Sequence, residues 1–208
     1  KEAGSIFWAG RFLDLKHPDD ALRVAAQLRN NGYNFTLRIA GAGVLEPQLR
    51  AMISELHLEG CVQLLGSLRP EQVRSEMERS RIFLLTSDHR EGWGAVLNEA
   101  MNSGCAVVAS DAVGATPFLV KDGVNGSVYH SGDTQELYEK VRRLLDDTAA
   151  QERLGSAAYQ TISELWNAET AAERLLQLSQ ALLVGRDAHK LFADGPCSPA
   201  HPLREDWR

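Results

Sequence analysis

At 208 residues the chain is long enough for one sizeable α/β domain and short for two. Apolar residues make up 44% and charged residues 24%, both ordinary for a globular chain. A formal net charge of -6 argues against a uniformly basic, nucleic-acid-binding surface, while a local basic pocket stays compatible with it.

In chain order, the apolar run at 5–9 predicts a strand. Pro18, Asp19 and Asp20 suit the first turn of a helix. Leu22, Ala25, Ala26 and Leu28 form its apolar face, and Gly32 ends it. A strand is expected over 35–40, a helix over 46–58, a strand over 61–65 and a helix over 70–80. Then come a strand over 82–86, a helix over 94–103, a strand over 105–109 and a shorter strand over 125–130. Helix is expected from 134 to 184. Such alternation predicts an α/β fold, a Rossmann-like three-layer sandwich. Its sheet would be mostly parallel with about six strands, and extra helices would follow at the C-terminal end. The domain is expected to occupy 1–184. Residues 185–208 hold Gly185, Gly195, Pro196, Pro199 and Pro202 with little periodicity, and are expected to be an extended or disordered tail.

Three cysteines, Cys61, Cys105 and Cys197, include no C-x-x-C pair. Cys61 and Cys105 lie in apolar runs, so buried reduced thiols and a reducing compartment are expected. No apolar run has the length of a membrane span, and no signal peptide is visible. His17, His57, His89, His130, His189 and His201 show no metal-site spacing, so no metal is expected.

In a parallel sheet the ligand sits beyond the carboxyl ends of the strands, which directs attention to the loops there. The loop after the fourth strand runs from Ser87 through Asp88, His89, Arg90, Glu91, Gly92, Trp93 and Gly94 into a helix holding Ala95, Val96 and Glu99. Glycines allow close backbone approach, and a helix start favours an anion such as phosphate. Glu91 and Glu99, repelled by that anion, would instead accept hydrogen bonds from sugar hydroxyls; two solvated acids are the plainer alternative. His89 could touch a ligand, though a lone loop histidine is usually solvated. The first loop carries Arg11 and Lys16, two cations suited to a diphosphate. The alternative is a surface pair in which Lys16 bonds Asp14 or Asp19. Gly41 and Gly43 lack the third glycine of a dinucleotide fingerprint and are expected to make a tight turn without a ligand.

Glu91, Gly92, Trp93, Gly94 and Glu99, followed by Ala100, Met101, Gly104 and Val107 to Ser110, resemble the donor-site signature of retaining glycosyltransferases of family 4. Gly10, Arg11 and Lys16, then Ile39 to Gly43, Leu65 with Gly66, Asp122 to Gly126, and Trp166 follow in family order. The resemblance covers about 4–184. It implies the GT-B fold, two Rossmann-like domains across a cleft, with this chain as the C-terminal, nucleotide-sugar-binding one. The acceptor domain on the N-terminal side would be missing. Arg11 and Lys16 would bind the diphosphate and stabilise its departure. Glu91 would bond the donor hexose, and the backbone of Gly92, Trp93, Gly94, Ala95 and Val96 would cradle phosphate and sugar. Glu99 would bond the ribose, with Gly66, Ser67 and Leu68 near the base.

The implied reaction is metal-independent hexosyl transfer with retention, from a UDP-hexose or a GDP- or ADP-sugar, with no cofactor and no nucleic-acid partner. The isolated domain is expected to be inactive alone. The expected location is cytoplasmic, with association of the full protein at the inner membrane face left open. A non-catalytic nucleotide-sugar-binding module and a GT-B sugar-nucleotide epimerase are the alternatives. The chain departs from the family pattern at His17 (usually glycine), at Cys105 (usually proline), at Phe118 (usually glutamate) and in one extra residue between Ser87 and Glu91.

Overall fold

The computed structural model describes residues 1–188 and 191–200. His189 and His201, and the rest of the expected tail at 190 and 202–208, lie outside the described residues. The elements are β1 (Ser5–Ala9), a 3-10 turn (Asp14–Lys16), α1 (Pro18–Asn30), β2 (Thr36–Ala40), α2 (Glu46–Glu55) and β3 (Val62–Gly66). There follow α3 (Pro70–Arg79), β4 (Ile82–Leu85), α4 (Val96–Asn102), β5 (Ala106–Ser110), α5 (Thr116–Leu119) and β6 (Ser127–Tyr129). Finally come α6 (Thr134–Asp146), α7 (Thr148–Gln160), a π-helical turn (Thr161–Leu165) and α8 (Ala168–Leu183).

The six strands form one sheet in the order β3-β2-β1-β4-β5-β6, with every pair parallel. Side chains alternate across it, as a pleated strand requires. Ile6, Trp8, Leu37, Ile39, Ile82 and Leu84 enter one core with α1, α2 and α6. Phe7, Phe83, Leu85, Val107 and Ala109 enter a second core with α4 and α5. The domain is thus the three-layer α/β sandwich that buried parallel strands demand. Arg38 is a polar exception inside β2: buried, it bonds Glu2 at 2.7 Å and Ser80 Oγ at 3.0 Å.

Several elements end elsewhere than their apolar patterns suggest. The helix expected to 58 stops at Glu55, because the chain turns through His57 at φ 52 and the Leu58 amide bonds Ile53 O. α4 starts at Val96 rather than Gly94, since Gly94 has φ 78, a left-handed conformation that glycine adopts without cost. The expected strand at 125–130 shortens to Ser127–Tyr129 because Asn125 makes a turn. Its side chain accepts from Lys121 N at 2.7 Å and donates to Leu119 O at 2.9 Å. The expected helix over 134–184 is divided where Asp147 and Asn167 cap new N-termini, accepting from Ala150 N and Thr170 N. β3 begins one residue later than expected, which leaves Cys61 only half-buried; Cys105 is buried, and all three cysteines are free.

Beyond α8 the described residues contain neither helix nor strand. Asp194 nonetheless lies against the domain: its carbonyl accepts from Arg174 of α8 and its carboxylate pairs with Lys121 at 3.0 Å. The Arg174 guanidinium also stands 4.7 Å from the Phe192 ring centroid.

Candidate functional site

The strand order reverses direction between β1 and β4, which makes the carboxyl edge of these two neighbours the switch point at which such sheets bind their ligands. Several bonds join the two loops. The Asp88 amide donates to Leu15 O at 3.0 Å. The Thr86 hydroxyl donates to Lys16 O at 2.6 Å and accepts from Trp8 Nε1 at 2.8 Å. That chain of bonds runs from the buried core to the backbone of Lys16. Lys16 itself, held in the 3-10 turn, directs its ammonium onto the Glu91 carboxylate. The alternative partners Asp14 and Asp19 are engaged elsewhere, Asp14 with Arg90 at 2.7 Å and Asp19 with Arg23 at 3.2 Å.

A second ionic group stands beside this pair. His17 Nε2 lies 3.0 Å from Asp88 Oδ2, and Arg90 Nη2 bridges Asp88 at 2.6 Å and Asp14 at 2.7 Å. Burial opposes the Asp88 charge, yet hydrogen bonds from the Arg90 side chain and backbone and from His17 outweigh it. They hold the carboxyl well below the usual carboxylate range. Sequence reasoning missed this group. Its cross-loop pairs, His17 with Asp88 and Arg90 with Asp14, span 71 and 76 positions, and the one local signal was His17 standing where the family usually has glycine, a position that here has φ 44.

The remaining site candidates are distributed along the same edge. Arg11 is exposed, and its guanidinium makes no hydrogen bond or ion pair among the described residues. Gly92, Trp93 and Ala95 are exposed, Val96 is half-buried, and Gly94 is buried and accepts from the Leu97 amide at 2.9 Å. Trp93 donates to Asn98 at 2.9 Å and packs on Phe118 and Trp166, with ring centroids 5.7 and 5.9 Å away. Phe118, where the resemblance expected a glutamate, therefore supplies apolar packing. His89 is exposed.

Gly41 packs the second loop to the third, donating to Gly66 O at 2.8 Å, while Phe12 N reaches Ala42 O at 2.9 Å. After Gly66 the chain passes exposed Ser67 and half-buried Leu68 into α3. Glu99, exposed on α4, lines a cleft of about 320 Å³ with Pro70, Arg74 and Met77 of α3. The structure thus joins Lys16 to Glu91 directly, with Arg11 on the same loop as Lys16, and sets Glu99 in a cleft that starts where the Gly66 loop enters α3. No group of three or more His, Cys, Asp or Glu among the described residues is arranged to hold a metal ion. No described helix is long and apolar enough to cross a membrane.

A family model described as "Glycosyl transferases group 1" matches residues 1–161. Among curated relatives, the amylovoran biosynthesis glycosyltransferase AmsK of Erwinia amylovora is 30% identical over 182 residues, covering 85% of this chain and 44% of its own. A D-inositol 3-phosphate glycosyltransferase of Corynebacterium aurimucosum is 30% identical over 159 residues, covering 74% of this chain and 37% of its own. The chain spans less than half the length of these two relatives. Among solved structures, Anabaena Alr3699/HepE in complex with UDP superposes with a TM-score of 0.75 at 26% identity, covering 86% of this chain and 49% of the other. The C-terminal domain of a group 1 family protein, LpcC of Francisella tularensis, shares the fold with a TM-score of 0.72 at 22% identity, covering 79% of this chain and 86% of that domain.

Proposed function

This chain belongs to the glycosyl transferases group 1 family, and from that premise we infer that it is the nucleotide-sugar-binding part of a retaining hexosyltransferase of family 4. The observation that carries the reading is the pairing of Lys16 with Glu91 at the switch point of the sheet. A cation suited to phosphate and a carboxylate suited to sugar hydroxyls meet at the edge where sheets of this kind bind their ligands, which supports the reading. The UDP held by the Anabaena neighbour supports the same ligand class.

In this reading Arg11 forks onto the diphosphate and Lys16 adds a point charge. Both stabilise the negative charge that grows on the departing nucleoside diphosphate, so the positive charge a metal would supply comes from side chains. Glu91 accepts from the hexose, and Glu99 accepts from the ribose at the mouth of the α3–α4 cleft. The backbone from Gly92 to Val96 cradles phosphate and sugar, and Gly66, Ser67 and Leu68 border the base. The acceptor reacts from a second domain outside this chain, so the chain alone binds donor but turns nothing over. The hexose is most simply delivered from UDP. Free Cys61, Cys105 and Cys197 fit a reducing, cytoplasmic setting.

The test is transfer by the full-length protein from UDP-hexoses, with the anomeric configuration of the product read by NMR. Retained configuration and loss of transfer in Lys16→Met support the reading. Inverted product, or multiple turnovers by the 208-residue chain alone, overturns the corresponding clause.

A further inference from the structure

Lys16 and Glu91 neutralise each other in the free protein, with their side chains only 17% and 15% exposed. The loops that carry them are joined independently, through Asp88 N to Leu15 O and Thr86 Oγ1 to Lys16 O. The ion pair can therefore open while the loops stay together. Arg11, on the same loop, has no such counter-ion among the described residues.

Resting on the donor reading above, we propose that the Lys16–Glu91 pair is a latch that a nucleotide sugar opens readily and a free nucleoside diphosphate opens poorly. A diphosphate that draws Lys16 to itself takes the counter-ion away from Glu91. A half-buried carboxylate then stands beside a phosphate, and like charges withdrawn from water repel strongly. A nucleotide sugar relieves that cost, because its hexose hydroxyls donate to the Glu91 carboxylate. The nucleoside diphosphate left after transfer has lost those hydroxyls. Lys16 then returns to Glu91 and the product is expelled. Glu91 thus discriminates donor from product as well as contacting the sugar, and it hastens a release step that often limits turnover.

The experiment is calorimetric titration of the full-length protein with UDP, GDP and ADP, on wild type, Glu91→Gln, Lys16→Met and the double variant. The latch predicts that the diphosphate bound by wild type binds Glu91→Gln about tenfold more tightly, the scale of a partly buried ion pair. It also predicts that this gain disappears in the Lys16→Met background. Unchanged or weaker binding by Glu91→Gln, with wild type still binding, overturns the latch and leaves the donor reading standing. A gain that persists without Lys16 overturns it too, because the effect would then be charge at a distance. Binding of none of the three by any of the proteins overturns the donor reading and the latch together.

Discussion

Gly114 lies so close to Gly92 that a Cβ on Gly114 would fall 1.9 Å from the Gly92 carbonyl oxygen. The Ala115 amide also donates to Trp93 O at 2.9 Å. The loop after β5 is therefore the floor on which the proposed phosphate cradle rests. Gly114→Ala must push backbone against backbone. We expect a loss of about 1–3 kcal/mol, as for other overpacked sites, together with weaker nucleotide binding. Gly60→Ala, where nothing lies within 4 Å, is the control and should stay within about 0.5 kcal/mol of wild type. Urea unfolding of both variants checks this; equal stabilities would contradict the contact.

Thr86 links core to site. Thr86→Val leaves the Trp8 Nε1 donor without its partner and removes the bond to Lys16 O. An orphaned buried donor costs about 1–3 kcal/mol. Because the second bond orients the Lys16 backbone, UDP affinity should fall as well. Thr86→Ser keeps the hydroxyl and should recover most of both losses. If valine and serine behave alike in melting and UDP titration, the hydroxyl relay has no such role.

Two carboxylates give opposite acid responses. Burial, with Asp19 beside it, pushes the Asp20 carboxyl up to about 6. Its charged form is thus disfavoured on folding: the penalty is full above pH 6 and vanishes below the unfolded value near 4. Asp20→Asn should therefore gain about 2–3 kcal/mol over wild type at pH 8, a gain that shrinks through pH 6 and is gone by about pH 4. Asp88 is held low by Arg90 and His17 against its burial, so its contribution is present above about pH 4 and lost below it. Asp88→Asn should lower stability at neutral pH and match wild type only in acid. Denaturant unfolding as a function of pH measures both slopes, and parallel curves would contradict the assignments.

The sheet was legible because buried parallel strands read as short apolar runs, and Ile82, Phe83, Leu84 and Leu85 could hardly lie anywhere but between two helical layers. Element ends were less legible. They depend on backbone geometry at His57 and Gly94 and on caps such as Asp147, none of which alters the hydrophobic period. Arg38 is a converse case, a charge inside a buried strand whose partners Glu2 and Ser80 come from distant segments. The candidate loops could be singled out in the sequence, since alternating strands and helices imply a parallel sheet whose ligands lie beyond the carboxyl ends of the strands. The site's internal pairing could not. Lys16 had acids at hand in Asp14 and Asp19 yet reaches Glu91, because β1 and β4 are neighbours only after the chain has crossed over.

Arg11, Lys16, Glu91 and Glu99 are proposed to hold a nucleotide sugar at this edge. The decisive measurement is thermal melting of the full-length protein with UDP, GDP, ADP and their hexose conjugates, each with and without magnesium. A ligand at 100 times its dissociation constant adds about 2.7 kcal/mol, which raises the midpoint of a domain this size by roughly 5–10 °C. The account predicts such a shift with one base, unaffected by magnesium and lost in Arg11→Ala and Glu99→Gln. No shift with any of these nucleotides, or a shift that survives both substitutions, would contradict it.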